Sequence, residues 1–501
     1  MENKHRISKE TACCILIVCA VWMIIVTYVS GIAVGNDGFW HMAFGRWMYQ
    51  HKSVPFHAIG AWGGEKLPWV PQEWLFQFLM YFICRDNMNL AWWITSILFL
   101  ICFLLIAVKS GLSKDISHHM AGLGIFLYCF IFSGISFMVP RPQAVSMIFL
   151  VLYCLLLEKI SYEHKIPVKQ WILLIGLCIL WANIHAGTMI LSYLIPIGMI
   201  FCFKLSEKIP AIRNKFDCRI PAKYDTRYSV AALLAIGSAF CTPNGIKGFL
   251  YPMQSMGDDL MFEVVREWKM PDFNDMVGLV MFWIPFAVFF FFLMFVKDQK
   301  LKLYDTALMA CMFVLGLMHL RFCLFMCIIL PLYLPRYCPT NKGSSVRMKS
   351  AVSALLSVVC VIIGSAMAPQ VTFASEGYGQ TKFFDTVRMQ EGSRPYTYYD
   401  IGGMMQYYNV PVFVDARYDP FSSDRMKDVV TLNYSDSRSK EFNDVMKKWN
   451  FTSFTDLKGS AALLWAKDHG YHKVCEFDTG GRQTDKVGRE TPAKYEFWVK
   501  D

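Results

Sequence analysis

The chain has 501 residues, of which 55% are hydrophobic and 18% are charged, and its formal net charge is +10. Soluble proteins carry about 45–50% apolar and about 25% charged residues, and here the apolar excess lies in runs long enough to cross the ~30 Å hydrocarbon core of a bilayer. This pattern excludes a soluble globular enzyme, a disordered chain and an outer-membrane barrel, whose strands alternate in segments of about ten residues.

The apolar runs predict transmembrane helices along most of the chain. Eleven crossings are expected, at residues 11–34, 89–108, 120–137, 144–160, 171–187, 188–204, 229–241, 277–296, 304–318, 321–335 and 349–367. Residues 171–204 and 304–335 are each too long for one crossing at about 1.5 Å per residue, so each is divided at a polar centre. Residues 74–84 are apolar but too short to cross, and we interpret them as an interfacial or half-inserted helix.

The basic residues predict the orientation of these helices. The loops assigned to the cytoplasm hold 22 Lys and Arg, whereas the loops assigned to the outside hold 8 over a similar total length. Positive residues favour the cytoplasmic side, so we expect a multi-pass protein of the cell membrane with a cytoplasmic N-terminus. Because the positive charge lies in these short loops, it indicates topology and not a nucleic-acid partner.

The last part of the chain differs from the rest, because it is polar and has no run that could span. We therefore predict a transmembrane domain at 1–367 and an extracytoplasmic soluble domain at 368–501. Predicted strands at 395–399, 410–416, 471–477 and 494–499 alternate with predicted helices at 420–432, 439–449 and 459–469, which is typical of an α/β domain. The expected fold class is mainly α: a polytopic transmembrane helix bundle with a C-terminal extracytoplasmic α/β domain.

Polar residues collect in the turns predicted to face outside. Asp37 begins a stretch whose apolar stripe at helical spacing, from Phe39 to Met48, is typical of a helix lying on a membrane surface. A carboxylate can act as general base where a hydroxyl attacks a sugar, and the planar fork of an arginine suits a phosphate. Asp37 is therefore the candidate catalytic base, and Arg141 and Arg321 are the candidate phosphate ligands. The candidate supporting residues are His41, Gln143, Asn183, His185, Asn244 and His319.

Each of these residues also has a structural interpretation. Asp37 can be only a helix N-cap, and Arg141 can simply fix a turn between two prolines. His41 is expected at the surface, and the other two histidines can satisfy exposed backbone at the broken helix pairs. Two clusters of acidic and basic residues are expected to form salt bridges without a substrate. They are Glu263, Arg266 and Glu267 in one loop, and Asp415, Arg417 and Asp419 in the C-terminal domain.

Seven short motifs in order resemble a bacterial branch of the GT-C glycosyltransferase superfamily, which includes protein O-mannosyltransferases, aminoarabinose transferases and oligosaccharyltransferases. They are Asp37–Trp47, Pro68–Leu75, Arg141-Pro-Gln143, Trp181–Gly187, Thr242–Gly245, Glu267–Phe273 and the Arg321 turn, with Tyr399–Gly403 and Val414–Arg417 matching in the tail. The resemblance implies a polyprenyl-phosphate sugar donor and an acidic residue in the first outer loop as base or metal ligand, by position Asp37. A second acidic residue that relatives carry is absent from 54–60, so we predict no metal and no other cofactor.

The sequence therefore predicts an enzyme, a GT-C-type integral membrane glycosyltransferase for hexosyl or pentosyl transfer. It would move a sugar from a polyprenyl-phosphate donor to an extracytoplasmic glycan, lipid or protein acceptor, with membrane lipids as its other partners. Two other classes stay open: a transporter or flippase of lipid-linked glycans, which broken helix pairs also suit, and a non-catalytic envelope assembly protein.

Overall fold

The structure is a computed structural model that describes residues 36–111, 139–218, 223–255, 257, 260, 265–295, 300–337, 378–390, 392, 394–421, 423–484 and 490–500. The predicted crossings at 11–34, 120–137 and 349–367 lie outside the described residues, as does most of the boundary predicted near residue 368. The number of crossings and the orientation of the termini therefore stay predictions.

The N-terminal part is a bundle of helices. They are α1 (Asn36–His51), α2 (Trp74–Cys84), α3 (Met88–Gly111), α4 (Gln143–Tyr162), α5 (Val168–Ile184), α6 (Leu191–Lys208), α7 (Tyr224–Ala239), α8 (Ile246–Ser255), α9 (Ile284–Phe295), α10 (Leu303–Met318) and α11 (Cys323–Tyr333). Short helical turns at Ala186–Met189 and Pro210–Lys215 precede and follow α6, and a π-helical turn at Leu279–Trp283 leads into α9. The predicted crossings within the described residues each correspond to one of these helices.

Apolar length supports a membrane bundle. Within the described ranges, three helical segments are long and apolar enough to cross a bilayer: Gln143–Tyr162, Ala186–Lys208 and Leu320–Tyr337. Shorter apolar helices accompany them at Trp74–Cys84, Met88–Cys102, Val168–Ile184, Leu279–Phe290 and Leu303–Met318. Both predicted breaks are confirmed, because His185 and His319 have non-helical backbone between successive helices, with φ of −158° and −146°.

The stripe on α1 is buried by protein, so the prediction that it rests on the membrane surface is wrong. Phe39 and Met42 pack into one cluster with Met404 and Met405 of the C-terminal domain. On the opposite side, Gly45 lies against α2 so closely that a Cβ atom would stand 2.7 Å from Cβ of Tyr81 and would also collide with the α2 backbone. Helix α1 is thus held between the bundle and the C-terminal domain.

The end of the bundle that is predicted to be cytoplasmic holds an ionic cluster around the buried Asp305. Arg336 Nη1 lies 3.1 Å from Asp305 Oδ2, and its Nη2 lies 3.2 Å from Glu158 Oε1. Lys109 approaches the same Glu158 at 3.4 Å, and the Tyr337 hydroxyl donates to Asp305 at 2.6 Å. Because the charges compensate one another, the ends of α3, α4, α10 and α11 can bring them together around the buried Asp305.

The C-terminal domain is α/β, as predicted. Its helices are α12 (Tyr378–Gln390), α13 (Gly402–Tyr407), α14 (Ser423–Tyr434), α15 (Lys440–Trp449) and α16 (Ala461–Asp468), and its strands are β1 (Pro395–Thr397), β2 (Ser453–Leu457), β3 (His472–Thr484) and β4 (Glu490–Val499). The strand order is β1-β2-β4-β3, with β1 and β2 parallel and the other two pairs antiparallel.

One predicted strand is wrong and one strand was missed. Residues 410–416 do not join the sheet, and the neighbour of β1 is β2, which the sequence analysis does not predict. The apolar run at 410–416 is buried for another reason: Val412 donates its N–H to Gly60 O at 3.0 Å and accepts from Trp62 N at 3.1 Å. The backbone partner of this segment therefore comes from the first outer loop, a contact between the two predicted domains.

Candidate active site

A cavity of about 490 Å³ opens where the helix ends meet the C-terminal domain. The bundle lines it from the start of α1, the loop before α2, the turn before α4, the loop at 265–268 and the turn before α11. The C-terminal domain contributes residues 399–400 and 416–419. The lining residues are Asp37, Trp40, His41, Trp69, Gln72, Glu73, Gln77, Arg141, Gln143, Tyr251, Val265, Glu267, Trp268, Arg321, Tyr399, Asp400, Ala416, Arg417, Tyr418 and Asp419.

The structure brings the predicted base and both predicted phosphate ligands to this cavity. Asp37 Oδ2 forms an ion pair with Nη2 of Arg141, while its Oδ1 accepts a hydrogen bond of 3.1 Å from Nε1 of Trp40. Burial raises the pKa of the Asp37 carboxyl above its ordinary value, although the positive charge of Arg141 opposes this shift. Asp37 thus does more than begin a helix, because two side chains hold its carboxylate at the wall of the cavity.

Glu267 joins the two arginines. Its Oε2 lies 3.6 Å from Nη1 of Arg141, and its Oε1 lies 3.8 Å from Nη1 of Arg321. The guanidinium of Arg321 also stacks over the ring of Trp268, with Cζ 4.4 Å from the ring centroid. The salt-bridged loop predicted around Glu267 is confirmed for this residue, and Glu263 lies outside the described residues.

Glu73 lies between two buried histidines. Its Oε2 is 3.6 Å from Nδ1 of His41, and its Oε1 is 3.4 Å from Nε2 of His185. The Nδ1 atom of His185 lies 2.7 Å from the hydroxyl of Ser146, which fixes the ring. Burial raises the pKa of Glu73 to about 8 and lowers the pKa of both histidines well below 6.5. At neutral pH the three groups together therefore carry no net charge.

This cluster corrects one expectation and adds one residue. His41 is not at the surface: only 1% of it is exposed, because α1 is covered on both sides. Glu73 lies in the Pro68–Leu75 motif, to which the sequence analysis assigns no catalytic or binding residue. The available signal was a single acidic residue between Pro71 and an apolar helix, but a carboxylate at the start of a helix is also favoured by the helix dipole, so this signal alone does not indicate a functional site.

The remaining supporting residues have different places. Gln143 lines the cavity, and its Oε1 is buried without a hydrogen-bond partner among the described residues. The others stand behind the wall and hold it. Asn183 accepts from Trp74 Nε1 at 3.0 Å and donates to Cys241 O at 2.9 Å.

Two further predicted supports brace loops in the same way. Asn244 donates to Pro71 O at 3.1 Å, two residues before Glu73 in sequence. His319 Nδ1 lies 2.8 Å from Trp268 O, which ties the turn before α11 to the loop that carries Glu267. These contacts are those of positioning residues, and the supporting role of Asn244 and His319 in the reaction stays a prediction.

The C-terminal domain closes the cavity with a tight loop. Arg417 is buried and bonded to Asp415, with Nη2 to Oδ2 at 2.6 Å, so the predicted salt bridge is confirmed. Its Nη2 also donates to Ile59 O at 3.1 Å, which fastens the loop to the first outer loop. Tyr418 has φ of 57°, a left-handed backbone conformation that residues other than glycine rarely adopt and that is often found in functional loops. Asp419 then faces the cavity, and burial raises its pKa to about 7.

The similarity of this chain to known proteins is one of structure. No family model matches the chain, and no curated protein sequence matches it. Solved structures do match: two of them are of the oligosaccharyltransferase of Archaeoglobus fulgidus. The form tethered by a disulfide bond to an acceptor peptide with the NVT sequon has a TM-score of 0.57 and 12% identity, covering 96% of this chain and 74% of that one. The apo form has a TM-score of 0.58 and 10% identity, covering 98% and 74%.

This chain has a GT-C fold. The resemblance inferred from the motifs is therefore confirmed at the level of fold, across nearly the whole chain, while the bacterial branch stays a prediction.

The cavity contains further carboxylates besides Asp37, but none of them comes from residues 54–60, where the relatives carry their second acidic residue. The carboxylates that accompany Asp37 are those of Glu73, Glu267, Asp400 and Asp419. Among the described residues, no group of three or more His, Cys, Asp or Glu side chains has an arrangement that could hold a metal ion. Each oxygen of Asp37 already contacts Arg141 or Trp40. The absence of a metal requirement stays a prediction.

Proposed function

We propose that this chain is an integral membrane glycosyltransferase that moves a sugar from a polyprenyl-phosphate donor to an extracytoplasmic glycan, lipid or protein acceptor. The observation that carries the proposal is one cavity, in a GT-C fold, that collects Asp37, Arg141 and Arg321 from three distant turns. A carboxylate next to two guanidinium groups matches a reaction in which a hydroxyl or amide loses a proton while a phosphate leaves.

The donor phosphate would bind where Glu267 now joins the two arginines. The ion pairs of Glu267 are long, at 3.6 and 3.8 Å, so a phosphate that makes shorter, bidentate contacts with Arg141 and Arg321 can replace them. The two arginines then stabilise the negative charge that develops on the departing polyprenyl phosphate.

Donor binding would also activate the base. The positive charge of Arg141 lowers the pKa of Asp37, so moving this guanidinium towards a phosphate makes the carboxylate more basic. The acceptor then attacks the anomeric carbon, the bond from that carbon to the phosphate oxygen breaks with its electron pair on oxygen, and Asp37 takes the acceptor proton. Trp40 keeps the carboxylate oriented through Oδ1.

The acceptor would enter beside the C-terminal domain. Tyr399 and the loop at 416–419 form the wall of the cavity opposite the bundle, and the hydroxyl of Tyr399 holds this loop through Ala416 O at 2.9 Å. In the tethered neighbour an acceptor peptide is bound to the oligosaccharyltransferase of the same fold, which supports an acceptor for this chain as well.

The decisive experiment is mass spectrometry of lipid-linked sugars and surface glycans in a deletion strain. The strain is complemented with wild type, Asp37→Asn or the matched control Asp424→Asn, which changes an exposed residue of α14. We expect one glycan to lose a sugar and the matching polyprenyl-phosphate sugar to accumulate, with rescue by wild type and the control only. Loss of a general base lowers the rate by about 10²–10⁴-fold.

The same experiment separates the rival classes. Full rescue by Asp37→Asn at normal protein level would leave Asp37 as a structural residue and would favour a flippase or an assembly protein. If the protein were a transporter, its deletion would cause the whole lipid-linked glycan to accumulate, and the surface glycan that is still made would keep all of its sugars.

A further inference from the structure

Helices α1 and α2 lie side by side and end together, far from the cavity. The residue that follows each helix is basic and has left-handed backbone: Lys52 with φ of 54° and Arg85 with φ of 48°. Both side chains converge on the ring of Tyr49, with Lys52 Nζ 3.9 Å and Arg85 Cζ 4.2 Å from its centroid. Since α1 rises about 1.5 Å per residue, this end is about 22 Å from Asp37.

The charge at this end is not balanced within the described part of the chain. No ion pair of Lys52 or Arg85 with a carboxylate occurs among the described residues, and the neighbouring acid, Asp86, is paired with Arg46 at 3.2 Å. The negative ends of two helix dipoles favour basic residues here, but each dipole equals only about half a charge. Two exposed cations on one ring therefore leave a net positive site that an anion would complete.

The surface next to these cations is apolar. Phe82 is 50% exposed and Ile83 is 55% exposed, at the last turn of α2, and Leu90 and Ile97 continue the exposed apolar surface along α3. In a protein with spanning helices such a surface faces acyl chains, and basic and aromatic residues at its edge lie at the level of the headgroups.

We propose that Lys52, Arg85 and Tyr49 form a binding site for the headgroup of an anionic phospholipid, whose acyl chains contact Phe82 and Ile83. The occupant is a bilayer lipid and not a soluble phosphate, because the cations adjoin the apolar surface. The site fixes the far end of α1, the helix that carries Asp37 at its other end, to the membrane. This inference does not depend on the proposed reaction.

The test uses the full-length protein in nanodiscs and in detergent. Native mass spectrometry compares how much phosphatidylglycerol and how much phosphatidylcholine three proteins retain. They are wild type, a double variant with Lys52→Gln and Arg85→Gln, and a control double variant with Lys427→Gln and Lys440→Gln. The control makes the same change of charge at two exposed residues of the C-terminal domain. Two basic residues near an anionic headgroup predict a preference for phosphatidylglycerol that is about 30-fold at low ionic strength and weaker at high salt.

We expect the double variant to lose this preference and the control to keep it, with equal thermal unfolding of all three proteins in phosphatidylcholine. An unchanged preference in the double variant would overturn the site. Equal loss in the control would assign the preference to net charge alone. Equal thermal stabilisation by inorganic phosphate and by phosphatidylglycerol would show that the apolar surface takes no part, which would overturn a lipid as the occupant.

Discussion

Replacing Glu73 by glutamine removes the most strongly shifted acid of the cavity and changes how stability depends on pH. In the folded protein Glu73 keeps its proton until about pH 8, whereas its ordinary pKa is 4.5. Between these values unfolding releases a proton, so the free energy of unfolding falls as pH rises. The slope from this group is about 1.4 kcal/mol per pH unit, and the total loss is about 5 kcal/mol by pH 8.

The assay is thermal unfolding in detergent from pH 5 to pH 9, together with infrared titration of the carboxylic acid band. Asp419, with its pKa near 7, contributes a slope of the same sign, so the difference between wild type and Glu73→Gln isolates Glu73. We expect the variant to have a flatter profile and to lack an infrared band that disappears near pH 8. The matched control is Glu65→Gln, at an exposed loop residue.

Equal pH profiles for wild type and Glu73→Gln would refute the reasoning, as would a band near pH 8 that persists in the variant. Either result would mean that Glu73 is not the group that keeps its proton up to pH 8.

Four further replacements follow from named contacts. Arg321→Gln removes one proposed phosphate ligand and should raise the KM for the donor by roughly tenfold or more, whereas Glu267→Gln weakens the internal competitor and should lower this KM severalfold. Steady-state kinetics with purified donor measures both, and a lower KM for Arg321→Gln or a higher KM for Glu267→Gln would contradict the exchange. Gly45→Ala forces α1 away from α2 and should cost about 1–3 kcal/mol, seen as a lower unfolding temperature. Arg336→Met leaves Asp305 buried without its cation and should cost about 3–5 kcal/mol; an unchanged unfolding temperature in either variant would show that the local packing relaxes freely.

The bundle and the clustering of Asp37, Arg141 and Arg321 could be predicted because both depend on local signals. Apolar length marks the helices, and loop charge assigns the three turns to one face, where they meet. The environment of Glu73 could not be predicted in this way, because its two histidine neighbours come from α1 and from the break after α5, and no spacing rule connects them.

The same limit explains the errors in the C-terminal domain and in α1. The pattern at 410–416 correctly indicates an extended, buried segment, but its backbone partner is Gly60 in the other domain, not a strand of the sheet. The apolar stripe of α1 likewise indicates a buried face without telling whether lipid or Met404 covers it. Periodicity specifies which residues avoid water, and only the tertiary fold decides what replaces the water.

Because the loop at 416–419 lines the cavity, the order of synthesis decides when the cavity forms. A ribosome synthesises α1 and the arginine turns first, and the wall that carries Arg417 and Asp419 emerges only after the whole bundle. Until that wall docks on Ile59 through Arg417, the carboxylate of Asp37 faces an open surface. The cavity is therefore complete only after the last domain has been synthesised and has docked on the bundle.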